Sequence, residues 1–247
     1  RKHLNIWTEQ DVRWLAMATW DNCKDIPFDV DMLKGRRCYG GLDLSDSNDL
    51  TAFVLVFPPD KIALKAEQKI DGDHVDRIDF SALDAEPFYV LPYFWIPEDN
   101  LRERVKKDHV PYDLWLQQGL IHATPGNSID HRYVAMALGQ ARLDYNLGGI
   151  VFDPWGSRKI TGDLCDEYGF TLDVEQGKRY NQPWLLIAPQ NYGFWTPPLN
   201  DLVNFLLAKK IAHGGNPILR WNASNVMVEE GRYGGLRPHK KKSREKS

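Results

Sequence analysis

The 247-residue chain is 43% hydrophobic and 26% charged, with a formal net charge of -3. That is apolar enough for one large mixed domain or two small ones, and too apolar for a disordered chain. No stretch approaches the roughly 18 consecutive apolar residues of a membrane span, and nothing at the start has the pattern of a secretory signal.

Thr8-Glu9-Gln10-Asp11 has the pattern of a helix cap and predicts a short helix through about Asp21. Tyr39–Leu44 reads as a strand, followed by a polar loop, Ser45–Asp49. The β-branched, nearly continuous apolar run Leu50–Phe57 reads as a strand buried on both faces and ended by Pro58-Pro59. The two strands form a hairpin with acids in its loop. Residues 60–86 are polar and read as an irregular surface excursion. Phe88–Ile96 is a third strand, with Pro92 marking a bend or an edge. A charged helix is expected over Glu98–Asp108, a short one over Tyr112–Gln118 and a short strand over Leu120–Ala123.

Ile129–Tyr145 has helical spacing, with Val134, Met136, Leu138, Ala141 and Leu143 as its apolar face and Gly148-Gly149 as its stop. Ile150–Asp153 is a short buried strand ending on an acid. Ser157–Tyr168 is expected as a helix, Thr171–Val174 as a strand, and Leu199–Lys210 as an amphipathic helix after Pro197-Pro198. Hairpin strands followed by alternating helices and strands predict a layered α/β sheet.

Two aspartates stand out by position. Asp43 interrupts one apolar strand and Asp153 ends another. Strand ends of a layered α/β domain line the crevice where ligands bind. Carboxylates converging there repel one another unless a divalent cation neutralises them, and hard cations such as Mg²⁺ prefer oxygen ligands. Metal-dependent phosphodiester hydrolysis is one chemistry such a pair serves. Both acids also suit blander roles, Asp43 in a side-chain-stabilised turn with Ser45 and Asp46, Asp153 as the cap of the helix near Ser157. Spacing leaves these alternatives open. His213 sits in the turn-like His213-Gly214-Gly215-Asn216-Pro217 and reads as structural. HExxH, Gly-x-Ser-x-Gly and GxxxxGK[ST] are all missing, so zinc-hydrolase, serine-hydrolase and P-loop readings lack support. The nine tryptophans are dispersed and read as core aromatics. Cys23, Cys38 and Cys165 show no CxxC spacing and are expected to be reduced thiols of a cytosolic protein.

The near-neutral total hides an asymmetry. Arg232–Ser247 carries seven Lys/Arg against one acid, or +6, while residues 1–231 carry 24 basic and 33 acidic groups, or -9. A basic run beside an acidic body often contacts polyanions, though a solvated terminus has the same composition.

The segments Cys38–Ser45, Asp49–Ala52, Leu91–Trp95, Val110–Tyr112, Thr124–Asn127, Phe152–Trp155, Gln176-Gly177, His213–Pro217, Leu219–Trp221, Ala223–Val226 and Lys241–Lys246 occur in an order that resembles the C-terminal nuclease domain of tailed-phage terminase large subunits. The likeness runs from about Ile6 to Ser247. It implies a ribonuclease H-like fold, a central mixed β-sheet flanked by helices, over 37–247. Residues 1–36 would link it to a preceding ATPase domain, since no known ATP-binding loop is present here, and the start at Arg1 rather than Met leads us to expect a fragment. The resemblance implies a two-metal Mg²⁺ or Mn²⁺ site. Asp43 matches its first-strand acid, Asp153 its second, and Asp49 a loop acid near the metals in some relatives. The family's third core acid follows a Lys-Ser-x-Glu-Lys motif, here Lys242–Lys246, which places it past Ser247. Weak or Mn²⁺-dependent activity is therefore expected. Residues 60–86 and 180–194 are longer than the resemblance leads us to expect, and are read as surface hairpins that touch DNA or a partner.

What this implies is an endonuclease that cuts double-stranded, concatemeric viral DNA during packaging. Arg237, Lys240, Lys241, Lys242 and Arg244 would hold phosphates. Portal protein and terminase small subunit are the expected partners, the isolated domain is expected to be monomeric, and the site of action is the host cytoplasm at the procapsid. A non-catalytic docking module of the motor and another ribonuclease H-like enzyme, such as a resolvase, are the alternatives.

Overall fold

The computed structural model describes residues 14–45, 50–59, 86–99, 101–153 and 160–239, with the backbone of 65–70, 73–77 and 157–159. The chain begins with α1 (Met17–Asp21), a 3-10 turn (Val30–Leu33), β1 (Arg37–Asp43), β2 (Thr51–Phe57), β3 (Lys65–Ile70), β4 (Asp73–Arg77) and β5 (Phe88–Pro97). Next come α2 (Leu101–Asp108), α3 (Tyr112–Gln117), β6 (His122–Thr124), α4 (His131–Asp144), β7 (Asn146–Phe152) and α5 (Ser157–Tyr168). The last third holds α6 (Val174–Tyr180), β8 (Trp184–Ile187), α7 (Tyr192–Leu207), β9 (Ile211–Ala212), α8 (Pro217–Asn225), β10 (Val228–Glu230) and β11 (Leu236–Pro238).

The central sheet runs β6-β5-β2-β1-β7-β8, with β9 also pairing β5. β1, β2 and β5 are antiparallel neighbours, whereas β1, β7 and β8 are parallel. β1 is thus the seam between a hairpin-built half and a crossover-built half. Alternation along β5 shows how the layers assemble. Tyr89, Leu91, Tyr93 and Trp95 pack with β1, β2, β7, α4 and α5 in one core, and Phe88 and Val90 turn to α1 and α7 on the other side. Phe94 and Ile96 join α3 and α8. The period of two sends successive side chains to opposite faces, so one strand serves both helix layers. Pro92 lies between the stretches of β5 that pair β9 and β6, where among the described residues no strand takes up its outer edge. That is where a residue without an N–H is tolerated.

Residues 14–35, within the segment expected to be a linker, contribute Leu15, Trp20, Cys23 and Leu33 to the cores. Trp20 stacks on His213 at 4.5 Å, and His213 Nε2 lies 3.0 Å from the Trp20 carbonyl. His213 is buried, as its structural reading requires. Arg220 forks onto Asp21 at 2.6 and 2.7 Å, tying α8 to α1.

Several sequence expectations are corrected. Within 60–86 the backbone of β3 and β4 forms an antiparallel hairpin, which replaces the irregular excursion read from composition and agrees with the hairpin expected there from the resemblance. On α4 the buried residues are Val134, Ala135, Leu138, Gly139 and Ala141, and Met136 and Leu143 face solvent. Gly148-Gly149 does not stop that helix. Both lie inside β7, where their missing side chains make room for neighbours: a Cβ on Gly149 would sit 2.2 Å from the Trp184 ring. Thr171 makes a single bridge to Trp184, and the chain turns into α6 by Val174, where the Asp173 carboxylate caps Gln176 N. Helix α7 starts at Tyr192, not after the prolines, because Asn191 accepts from Phe194 N and nucleates a turn upstream of them. Residues 180–194, expected as a surface hairpin, hold β8 of the central sheet and the start of α7.

Candidate metal-binding and nuclease site

Along β1, Cys38, Gly40 and Leu42 are buried whereas Tyr39, Gly41 and Asp43 are exposed, so Asp43 belongs to the less covered face. It pairs with Ala52 of β2 and is therefore a strand residue rather than a turn residue. The parallel register sets Gly41 against Val151 and Leu42 against Phe152. Carried one residue further, it brings Asp43 level with Asp153, on the same face of neighbouring strands that lie about 4.8 Å apart. Beside them a Cβ on Gly41 would meet nothing within 4 Å among the described residues.

Loops at the same end of the sheet hold this pair. Ser45 N donates to Thr51 Oγ1 at 2.9 Å, and Thr51 Oγ1 donates back to the Ser45 carbonyl at 3.3 Å. These bonds clamp the base of the β1–β2 loop. His131, at the start of α4, reaches the same carbonyl with Nε2 at 3.2 Å, and since a carbonyl only accepts, Nε2 carries the proton. Asp130 is occupied as the cap of α4 and in a fork with Arg132 at 2.5–3.0 Å. On the other flank Ala188 N donates to the Phe152 carbonyl at 2.8 Å, folding the β8–α7 loop over the end of β7. There Gln190 Nε2 donates to Asp153 Oδ2 at 3.4 Å and to the Ala188 carbonyl at 3.3 Å.

Two carboxylates at adjacent strand ends are hard oxygen donors whose mutual repulsion a divalent cation relieves. Their chemistry fits Mg²⁺ or Mn²⁺. Among the described residues no group of three or more His, Cys, Asp or Glu comes together to hold a metal, so the described donor set stops at Asp43 and Asp153. Asp49, Lys240, Lys241, Lys242 and Arg244 lie outside the described residues. Arg237 lies within them, on β11. It pairs with Glu229 at 3.2 Å, donates to the Gln190 carbonyl at 3.3 Å and covers the Tyr192 ring at 5.0 Å.

Sequence reasoning brought out Asp43 and Asp153 and missed His131 and Gln190. A histidine opening an amphipathic helix was a faint signal for the first. Gln190 had none, because its place depends on β8, a strand that the sequence pattern did not reveal.

The whole chain matches the family model described as terminase large subunit, endonuclease domain, over residues 1–79 and 71–247. It is similar to the terminase large subunit of Enterobacteria phage HK97, at 29% identity over 93% of this chain and 38% of that protein. Protein YmfN of Escherichia coli strain K12 is 24% identical over 92% of this chain and 43% of its own length. The crystal structure of the HK97 bacteriophage large terminase superposes with a TM-score of 0.69 at 27% identity, covering 94% of this chain and 40% of that one. The chain thus spans about two fifths of the relatives that it matches. The fold is the ribonuclease H-like one, a central mixed sheet flanked by helices.

Proposed function

The chain belongs to the terminase large subunit endonuclease family, and on that premise we propose that it is the metal-dependent endonuclease of a phage DNA-packaging motor, cutting double-stranded concatemeric DNA. The observation that supports the reading is the β1–β7 register, which pairs Leu42 with Phe152, the residues immediately before Asp43 and Asp153.

In this reading Asp43 and Asp153 hold Mg²⁺ or Mn²⁺, with Asp49 as a further ligand. Such ions supply Lewis-acid polarisation of the scissile phosphodiester and neutralise the charge that develops on it. The chain's own contribution is placement. β1 carries Asp43, β7 ends one residue before Asp153, and the Thr51 and His131 contacts to Ser45 hold the adjoining loop to the sheet. Lys240–Lys242 and Arg244 would neutralise backbone phosphates without reading bases, which gives affinity and little sequence preference.

In the whole protein we place this unit after an ATPase domain, with portal protein and small subunit as partners and the procapsid in the host cytoplasm as its site of action. The isolated unit is proposed to be a monomer.

Asp43→Ala tests the reading. It should abolish Mn²⁺-supported plasmid cleavage, a drop of at least 10³-fold, while circular dichroism and the melting temperature stay close to those of the parent. Undiminished cleavage by this variant, or a parent that binds portal or small subunit yet cuts no DNA, would overturn it in favour of a docking module.

A further inference from the structure

The contacts around Asp153 extend outward in a chain that ends on the C-terminal hairpin. Gln190 places its side-chain amide between Asp153 Oδ2 and the Ala188 carbonyl, and its own carbonyl accepts from Arg237 Nη1. Arg237 is itself held by Glu229 across the β10–β11 pair, where the two are register partners. Glu229 also accepts from Tyr192 Oη at 2.8 Å, and Arg237 lies over that tyrosine ring. Thr196 completes the attachment, donating to the Tyr192 carbonyl at 2.6 Å and accepting from Leu236 N at 2.8 Å. The hairpin is therefore bolted to the first turn of α7 at the corner from which Gln190 reaches the carboxylate.

A carboxylate on a strand end has two soft torsions, and a donor on one oxygen narrows the orientations it samples. Partners that orient metal-binding side chains in this way commonly change metal affinity or activity by about 10–100-fold when removed. Arg237 spends its charge on Glu229, one face on Tyr192 and one N–H on a backbone carbonyl.

We propose that Gln190 is a positioning residue for Asp153, and that Arg237 acts by bracing Gln190 rather than by holding DNA, which makes the β10–β11 hairpin a structural part of the metal site. The inference rests on the metal-nuclease reading above, and its test separates the two.

Mn²⁺ binding to the 247-residue chain is measured by electron paramagnetic resonance of the free ion, alongside steady-state cleavage at several salt concentrations. Gln190→Ala should weaken Mn²⁺ binding about 10-fold and lower kcat by a similar factor, with KM for DNA unchanged. Arg237→Ala should shift the same two quantities in the same direction and leave KM and the salt dependence as they were. The double variant should be no worse than the more impaired single one, since the residues act in one chain.

If Arg237 instead touches phosphate, its loss raises KM and flattens the salt dependence while Mn²⁺ binding holds, and the brace is overturned. Thr196→Val frees Leu236 N but leaves Gln190 and Arg237 in place, and it should cost no more than Arg237→Ala in either quantity. A greater loss would mean that the general attachment of the hairpin, and not Arg237, sets the site, and would overturn the brace. Asp43→Asn is the control on the premise. If it binds Mn²⁺ and cuts normally, the site assignment fails; if it loses both and Gln190→Ala behaves as the parent, only the positioning role fails.

Discussion

Trp184 lies flat across Gly149, its register partner on β8, and Tyr168 of α5 approaches Gly139 of α4 as closely. A methyl on Gly149 would sit 2.2 Å from the indole, and on Gly139 2.1 Å from the phenol ring, so the partner ring or the backbone must move. Overpacking of this kind costs about 1–3 kcal/mol. Gly149→Ala and Gly139→Ala should each lower stability by that amount in urea unfolding. Gly41→Ala, which meets nothing within 4 Å, should fall well below it. The same logic explains why some site residues were legible and others were not. An aspartate that ends an apolar run contradicts its surroundings and announces itself, as Asp43 and Asp153 do. Gln190 is a polar residue in a polar loop, and its role exists only once β8 has carried the loop to Asp153.

Among the elements, those with unambiguous periodicity were the readable ones. β1, β2, β5 and α5 stand close to where alternation, β-branching and proline stops put them. Where periodicity was diluted the pattern misled: Met136 and Leu143 are apolar but sit on the solvent side of α4, and Ala135 and Gly139 fill the interface instead, because close approach to α5 needs small residues. Helix α1 is a further case, since nothing in its sequence says what it packs against. Trp20 is buried between His213 and the α7–α8 core, and it is the anchor of residues 14–35. Trp20→Ala should therefore cost about 3–5 kcal/mol, as expected of a large core aromatic. A value near zero would mean that Trp20 does not anchor this segment. The Asp21–Arg220 fork is partly exposed, and Arg220→Ala should cost no more than about 1 kcal/mol in the same assay.

For the molecule as a whole, burial makes the fold sensitive to base. Cys38 is fully enclosed, and loss of solvent pushes its thiol from 9.0 up to about 12. Burial raises the Tyr112 phenol to about 12 as well, and Tyr93 is also shifted upward by burial. Each group is neutral in the native state at a pH where the unfolded chain has already released its proton. The unfolded form then binds fewer protons, and stability falls as pH rises. The contribution is intact below pH 9 and is lost progressively toward pH 12. Urea midpoints measured from pH 8 upward should decline across that window, and Cys38→Ala should blunt the decline.

The seam at β1 has a further consequence, for the order in which the protein comes into being. Asp43 and its hairpin partner β2 leave the ribosome nearly together, whereas Asp153 follows only after β7, beyond the long β5–α4 stretch. At about 5–20 residues per second, that separates the two carboxylates by on the order of ten seconds. Pairing over so long a loop is also the slow kind of contact, formed after local structure. On a nascent chain the β1–β2 pairing is therefore available well before the Asp43–Asp153 pair, which waits until synthesis has moved past β7.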